Sequence, residues 1–446
     1  MDLDKWKEKN KKARRYAHFD ERVSLDRVWG YISNSDNIKK HGFYPFIYYE
    51  KKFNKYVKKE NKGSINEKER KLCYCAHIDR YIYSYYGYLI NQEYNRYMKV
   101  HNMDMVAVAY RDNLGKSNIN FAKRAFDCIK GSGDCYIIIG DFSDFFESLN
   151  HIYLKERLCE ILDVKKLPDD YYAVFKNITK YSSWKLTDLL TLNGLNDNEK
   201  DIKLLNTKPR VLSKNEFKKQ KKVFVHKHQE DYGIPQGSPI SAVLANVYMI
   251  KIDEKIYLLA QKYNGLYMRY SDDFIIVLPG LSVDVFKEVF DNIFLMINAV
   301  PNLTLQPKKT QVYKYKDREL NSCSSLFLEN IENGKNQIDY LGFTFDGKEI
   351  TIRDKTITKY YYRMYRKLKT IIKCNGYTHL GHKISCKNLY QKYTIKGAKV
   401  RDSHGNFGNF ITYVQNAQKI FGEDEAIDKK TKRHMLKIRR RLDQVL

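Results

Sequence analysis

Three carboxylates in this sequence stand where metal-assisted chemistry would need them. Asp141 closes the run Tyr136-Ile137-Ile138-Ile139-Gly140, an apolar, β-branched stretch that reads as a buried strand. A carboxylate at the end of such a strand is a poor packing choice and a good metal-ligand position. Alone it reads equally well as a helix cap. The second element is GLYMRYSDDFIIVLP, residues 265–279, in which two apolar segments flank Ser271-Asp272-Asp273. This reads as a strand-turn-strand hairpin, and its flanks are too apolar for an exposed loop. Adjacent carboxylates at a tight turn repel each other unless a cation lies between them.

Three carboxylates on neighbouring strand ends can hold two Mg²⁺ ions about 3.5–4 Å apart. Such a pair activates a hydroxyl, stabilises an in-line transition state at phosphorus and neutralises a leaving diphosphate. Hard oxygen ligands and phosphate oxygens from the substrate favour magnesium. Between the two elements lies GIPQGSPISAVLAN, residues 233–246. Gly233, Pro235 and Gly237 make a turn there, and a helix is expected to start at Ser238 or Pro239. Small residues let backbone approach a ligand, and a helix start offers free N–H groups to phosphate. On its own this turn reads as structural.

The elements around these residues are those of a globular protein. Hydrophobic residues make up 43% and charged residues 30% of 446 residues, which excludes a disordered chain. The charge is lopsided, with 80 Lys and Arg against 53 Asp and Glu, a formal +27 that points to a polyanionic partner. The cations cluster at Lys51, Lys52, Lys55, Lys58, Lys59 and Lys62, at Lys218, Lys219, Lys221 and Lys222, and between Lys429 and Arg441. Each run reads as a solvated face by itself; together they tilt towards phosphate contacts. His77–Met98 reads as a helix with Ile78, Ile82, Tyr85, Tyr86 and Leu89 near one face, an aromatic stripe that belongs in a core. The eight cysteines have no zinc spacing and read as free thiols. No apolar run approaches the ~20 residues that span a bilayer, and the start lacks a signal-peptide core. A soluble, cytoplasmic protein is expected.

In this order the segments resemble the reverse transcriptase family. DFSDFFESL, beginning at Asp141, is similar to its motif A, GIPQGSPISAVLAN to its motif B, and YSDD to its YxDD box. LTLQPKKTQV (303–312) resembles motif D, and IDYLGFTF (338–345) resembles motif E, the primer grip, with Leu341 and Gly342 at its turn. AYRDN and NINFA, between 109 and 122, are similar to fingers motifs of bacterial and group II intron members. The resemblance covers roughly residues 70–345 and is most specific at motifs B and C.

The resemblance implies an α+β right-hand polymerase. It has fingers and an N-terminal helical region over 1–130, a palm with an antiparallel sheet over 131–345 (including an insertion near 160–232), and a basic helical thumb over 346–446. It implies Asp141, Asp272 and Asp273 as catalytic ligands of two Mg²⁺ ions, with the Phe142 carbonyl as an extra ligand. Around the incoming deoxynucleotide it places Asp144, Phe145, Phe146, Gln236, Gly237, Arg111 and Lys309. Phe146 falls at the steric gate that rejects a ribose 2′-hydroxyl. Arg111 matches a triphosphate-binding arginine, and Lys309, with Lys308 competing, matches a lysine that protonates the diphosphate. The chain looks most like bacterial enzymes of retrons, abortive-infection and related anti-phage systems, through His41–Phe53 and the long stretch between motifs A and B. The implied partners are a structured noncoding RNA, an RNA template and a DNA product, with oligomeric state and any companion defence protein left open. Template-independent or protein-primed DNA synthesis is the alternative; an RNA-binding scaffold with a vestigial site is a third reading.

Overall fold

The computed structural model describes residues 2–11, 14–59, 62–374, 376–377, 381–382, 386–398, 400–401 and 408–442. Its twelve strands are β1 (Phe46–Lys59), β2 (Lys62–Tyr74), β3 (Asp134–Asp141), β4 (Ser182–Lys185), β5 (His226–Lys227), β6 (Leu266–Tyr270), β7 (Asp273–Pro279), β8 (Gln311–Lys316), β9 (Glu319–Ser322), β10 (Ile338–Tyr340), β11 (Phe343–Phe345) and β12 (Ile350–Ile352). They form three sheets, ordered β2-β1-β4-β5, β6-β7-β3-β8-β9 and β10-β11-β12.

The five-stranded sheet is antiparallel throughout. Its central strands are continuously apolar because both faces are covered. Tyr136 and Ile138 of β3 and Phe274, Ile276 and Leu278 of β7 join one core cluster, which includes Phe286 and Phe290 of the helix Val283–Asn298. The alternate residues Cys135, Ile137, Ile275 and Val277 join a second cluster with the helix Asn118–Ser132 and the C-terminal helices. Period-2 alternation thus divides each strand between two cores. Gly140 has no room for a side chain: a Cβ there would lie 2.3 Å from the ring of its cross-strand partner Phe274.

The four-stranded sheet is assembled from distant segments. β1 runs antiparallel to β2 and parallel to β4, which in turn pairs with β5. The stretch expected as an insertion therefore supplies two strands to this sheet, besides its helices. The side chains of Lys55, Lys58, Lys59 and Lys62 lie outside the described residues. The tyrosine-rich segment forms the helix His77–Val100, with Ile82 and Tyr86 buried and Ile78, Tyr85 and Leu89 half-buried. Asp20 caps it from far along the chain, accepting the His77 and Ile78 N–H groups at 2.9 and 3.0 Å. Gly87 brings this helix to 3.4 Å of the Ile240 backbone, measured from an ideal Cβ.

The small sheet carries its pairing past residue 345: β12 adds to β11 before the helix Asp354–Lys373 begins. The pairing of this sheet thus runs across the boundary expected at 345/346. Leu341 and Gly342, both with positive φ (48° and 93°), form the two-residue turn between β10 and β11. That is the dihedral signature of a type I′ hairpin. Among the described residues no helix is long and apolar enough to cross a membrane.

Candidate active site

Register brings the carboxylates together. Asp141 is the direct cross-strand partner of Asp273 in the β3–β7 ladder, and Tyr270 pairs with Asp273 across the two-residue turn Ser271-Asp272. Opposed side chains in such a ladder stand about 5 Å apart, so the acidic groups meet at one end of the sheet. The Phe142 N–H donates to the Asp272 carbonyl at 3.3 Å, tying the strand end to the turn. Burial, then the charge of Asp141, raises the Asp272 carboxyl above its usual range. Asp273 opens to solvent on the cavity side yet lies deep among protein atoms. That depth, followed by the charges of Asp272 and Asp141, raises its carboxyl strongly, while Lys309 opposes the rise.

Such strain calls for cations, and the donor set is hard oxygen. Among the described residues no group of three or more His, Cys, Asp and Glu side chains is arranged so that it could hold a metal ion. Asp141 instead forms an ion pair with the Lys309 ammonium. Phe142 stands in an isolated antiparallel bridge with Leu305, flanked by the Ser143 N–H bond to the Thr304 carbonyl at 2.8 Å. An open, partly protein-built carboxylate site suits an ion that keeps substrate phosphate and water as its other ligands. The residues present fit such a group.

Above the carboxylates lies a cavity of about 450 Å³ lined by Asp141, Phe142, Asp144, Phe145, Phe146, Gln236, Asp272, Asp273, Lys309 and Tyr110, and by Glu69, Arg70 and Lys71 of β2. Phe145 turns its ring into the core against Phe142, so what it offers the cavity is mainly backbone. Phe146 is half-buried, with its carbonyl accepting the Ile234 N–H at 2.8 Å. The Gly233 N–H reaches the Leu149 carbonyl at 2.9 Å, so a short backbone ladder joins the motif A helix to the motif B turn. Gln236 is anchored by its carbonyl, which accepts the Cys73 N–H of β2 at 2.8 Å. The motif B helix starts at Ser241, later than expected, because the Ser241 hydroxyl donates back to the Pro235 carbonyl and keeps 238–240 in a turn. Its N-terminus does not line the cavity.

Arg111 does not line this cavity. It is only 6% exposed, with Nε on Asn95, Nη2 on the Asp104 carboxylate at 2.7 Å and Nη1 on the Asp104 and Ala107 carbonyls. Its guanidinium is consumed inside the fold and does not reach the cavity. The cations of β2 that do line it are Arg70 and Lys71, which sequence reasoning passed over; the signal was a basic strand end running into Cys73. Of the two motif D lysines, Lys309 lines the cavity and Lys308 does not. Gln306 holds this segment in place, its N–H donating to the Asp141 carbonyl at 2.7 Å. Gly237 is not a cavity wall; it packs against Cys73 with φ +113°. Leu341 and Gly342 lie outside the cavity, the Leu341 carbonyl accepting from Asn118 at 2.9 Å. A larger cleft, about 820 Å³, opens in the C-terminal region among Lys359, Arg363, Lys392, Arg401, Tyr360 and Phe410.

A protein-family model described as "Reverse transcriptase (RNA-dependent DNA polymerase)" matches residues 89–345. No curated protein sequence matches the chain. Among solved structures, apo telomerase from Candida tropicalis truncated from the C-terminal domain aligns at 12% identity and TM-score 0.41, over 74% of this chain and 61% of its own. Telomerase from Candida albicans, in complex with a TWJ fragment of telomeric RNA, aligns at 12% identity and TM-score 0.39, over 99% and 72%. This chain thus spans less than two thirds of the first of these. Likeness at that level assigns no substrate.

Proposed function

The chain belongs to the reverse transcriptase family, and on that premise we propose that it extends a 3′-hydroxyl with deoxynucleotides on an RNA template, using two Mg²⁺ ions held by Asp141, Asp272 and Asp273. The observation that carries the reading is the β3–β7 register, which sets Asp141 opposite Asp273 beneath a cavity walled by cations and an aromatic ring. When bound, the ions would activate the hydroxyl, stabilise the in-line transition state and neutralise diphosphate. Asp141, Asp272 and Asp273 supply their anionic ligands, and the Phe142 carbonyl a neutral one. Arg70 and Lys71 of β2 line the same cavity, with the Lys71 ammonium 4.2 Å over the Tyr48 ring, and neutralise the triphosphate. Gln236 positions the nucleotide, with Gly237 setting the turn that holds it. The Phe146 ring fills the space a 2′-hydroxyl would need. Lys309 holds a proton at Nζ for the departing diphosphate. Leu341 and Gly342 form the primer-grip turn.

The RNA partner in this reading is a structured noncoding RNA of a bacterial anti-phage system, and the site of action is the cytoplasm. Support comes from the resemblance of residues 41–53 to that group and from the +27 charge. The basic, aromatic-walled C-terminal cleft adds a surface suited to a phosphate chain. The test is affinity purification from the native host with sequencing of bound RNA, followed by extension with and without that RNA. One enriched short RNA that templates the product supports the reading. Bulk cellular RNA would sink the dedicated partner, and product that stays protein-linked after nuclease treatment would favour protein-primed synthesis.

A further inference from the structure

The YSDD turn is built on an unfavourable backbone. Of its two central residues only Ser271 has positive φ, +64°. That is the pattern of a type II′ turn, whose first central position ordinarily takes glycine. Directly beneath lies a fully buried ion pair that nothing in the chemistry above requires. Arg269 and Asp253 both have side chains with 0% exposure. The guanidinium grips Asp253 with both arms, Nε to Oδ1 at 2.9 Å and Nη2 to Oδ2 at 2.6 Å. Its remaining arm, Nη1, donates to the Ser271 carbonyl at 2.8 Å and to Asn246 Oδ1 at 3.2 Å. Tyr267 adds a hydroxyl bond to Asp253 Oδ1 at 2.7 Å, and Asn246 Nδ2 reaches the Ala109 carbonyl at 3.0 Å. Backbone bonds from Arg269 to Val106 and from Val108 to Arg269 lock the same point to the segment before Tyr110. The Tyr110 hydroxyl in turn meets Ser271 Oγ at 3.1 Å.

Desolvating two charges is costly, and well-packed apolar residues of similar size often serve stability as well or better. The pair therefore needs another role, and its geometry supplies one. We infer that Arg269, clamped by Asp253, is a positioning residue that holds the Ser271 carbonyl and so fixes where Asp272 and Asp273 stand relative to Asp141. This rests on the polymerase reading above.

The test compares wild type with Arg269→Met/Asp253→Leu, which removes both buried charges together, and with Arg269→Lys, which keeps a cation for Asp253 but has no second arm for Ser271. Melting, template-primer binding, single-nucleotide kcat and KM, the Mg²⁺ dependence of extension, and Mn²⁺ affinity by electron paramagnetic resonance on the complex with a chain-terminated primer are measured for each. Both variants are expected to fold and to bind template-primer as wild type does. A loss of kcat of about 100-fold is expected from a misplacement near 1 Å. Metal half-saturation and Mn²⁺ affinity should weaken about 10-fold, as when a ligand's supporting partner is lost, with KM for deoxynucleotide little changed. If the double variant does not fold, Arg269→Lys decides. Wild-type kcat and Mn²⁺ affinity in whichever variant folds would overturn the inference, as would losses that merely track the unfolded fraction. An inactive wild type with intact Mn²⁺ binding would sink the polymerase reading instead.

Discussion

Gly237→Ala tests how the motif B turn is tied to the fingers. A Cβ at residue 237 would sit 2.3 Å from the Cys73 carbonyl oxygen, where ordinary contact begins at 3.4 Å. About 1 Å must therefore open between the end of β2 and the turn, against backbone that cannot swing aside. The +113° φ adds strain of about 1–3 kcal/mol for any L side chain. The Cys73–Gln236 hydrogen bond stands in the same gap, and its loss costs about 1 kcal/mol. Stability should fall by about 2–4 kcal/mol, seen as a lower urea midpoint. The larger effect is on catalysis, because the gap shifts Gln236 on one side and Arg70 and Lys71 on the other. A misplacement of that size costs on the order of 100-fold. Single-nucleotide extension on saturating template-primer, under conditions where melting shows the variant folded, reads it as kcat/KM. A folded variant with wild-type kcat/KM would refute the idea that this contact sets the nucleotide site.

Phe146→Ala should lower discrimination against ribonucleotides by about 10- to 100-fold, the range one pocket contact supplies; unchanged discrimination in single-nucleotide extension would remove Phe146 from the gate. Arg70→Ala and Lys71→Ala should each raise KM for deoxynucleotide while leaving the melting midpoint near wild type. Arg111→Ala should do the reverse, losing about 1–3 kcal/mol of stability as its buried partners go unpaired, with KM almost unchanged in the folded fraction. Lys309→Ala should lower the rate of the chemical step by about 100-fold if Nζ protonates diphosphate; rapid-quench kinetics showing a wild-type rate would exclude that role.

The parts of this molecule most legible in its sequence are those whose signals are local. The runs ending in Gly140 and flanking Ser271-Asp272-Asp273 have the composition and length of buried strands, and all three strands form. The tyrosine-rich segment 77–98 gives the expected helix, although its first turns are buried on every side, Asp79 and Arg80 included. What was not legible depends on contacts far along the chain. β1 pairs with β4 more than 130 residues away, so neither strand announces the sheet. Arg111 carries a fingers-like context, yet its partners Asn95 and Asp104 take the guanidinium inward, which no local pattern reveals. Arg269 lies hidden in an apolar run, and its meaning appears only with Asp253 beside it. β12 extends the small sheet beyond motif E through only three residues, too few to show a period.

The most direct test of the central claim is primer extension on an RNA template with Mg²⁺, comparing the protein with its Asp272→Ala/Asp273→Ala variant at equal folded concentration. The expected result is template-dependent DNA synthesis by the parent, abolished by chelator and absent from the variant, with template-primer binding retained by both. Equal synthesis by the two proteins would contradict the account, and so would synthesis by the parent that persists without template.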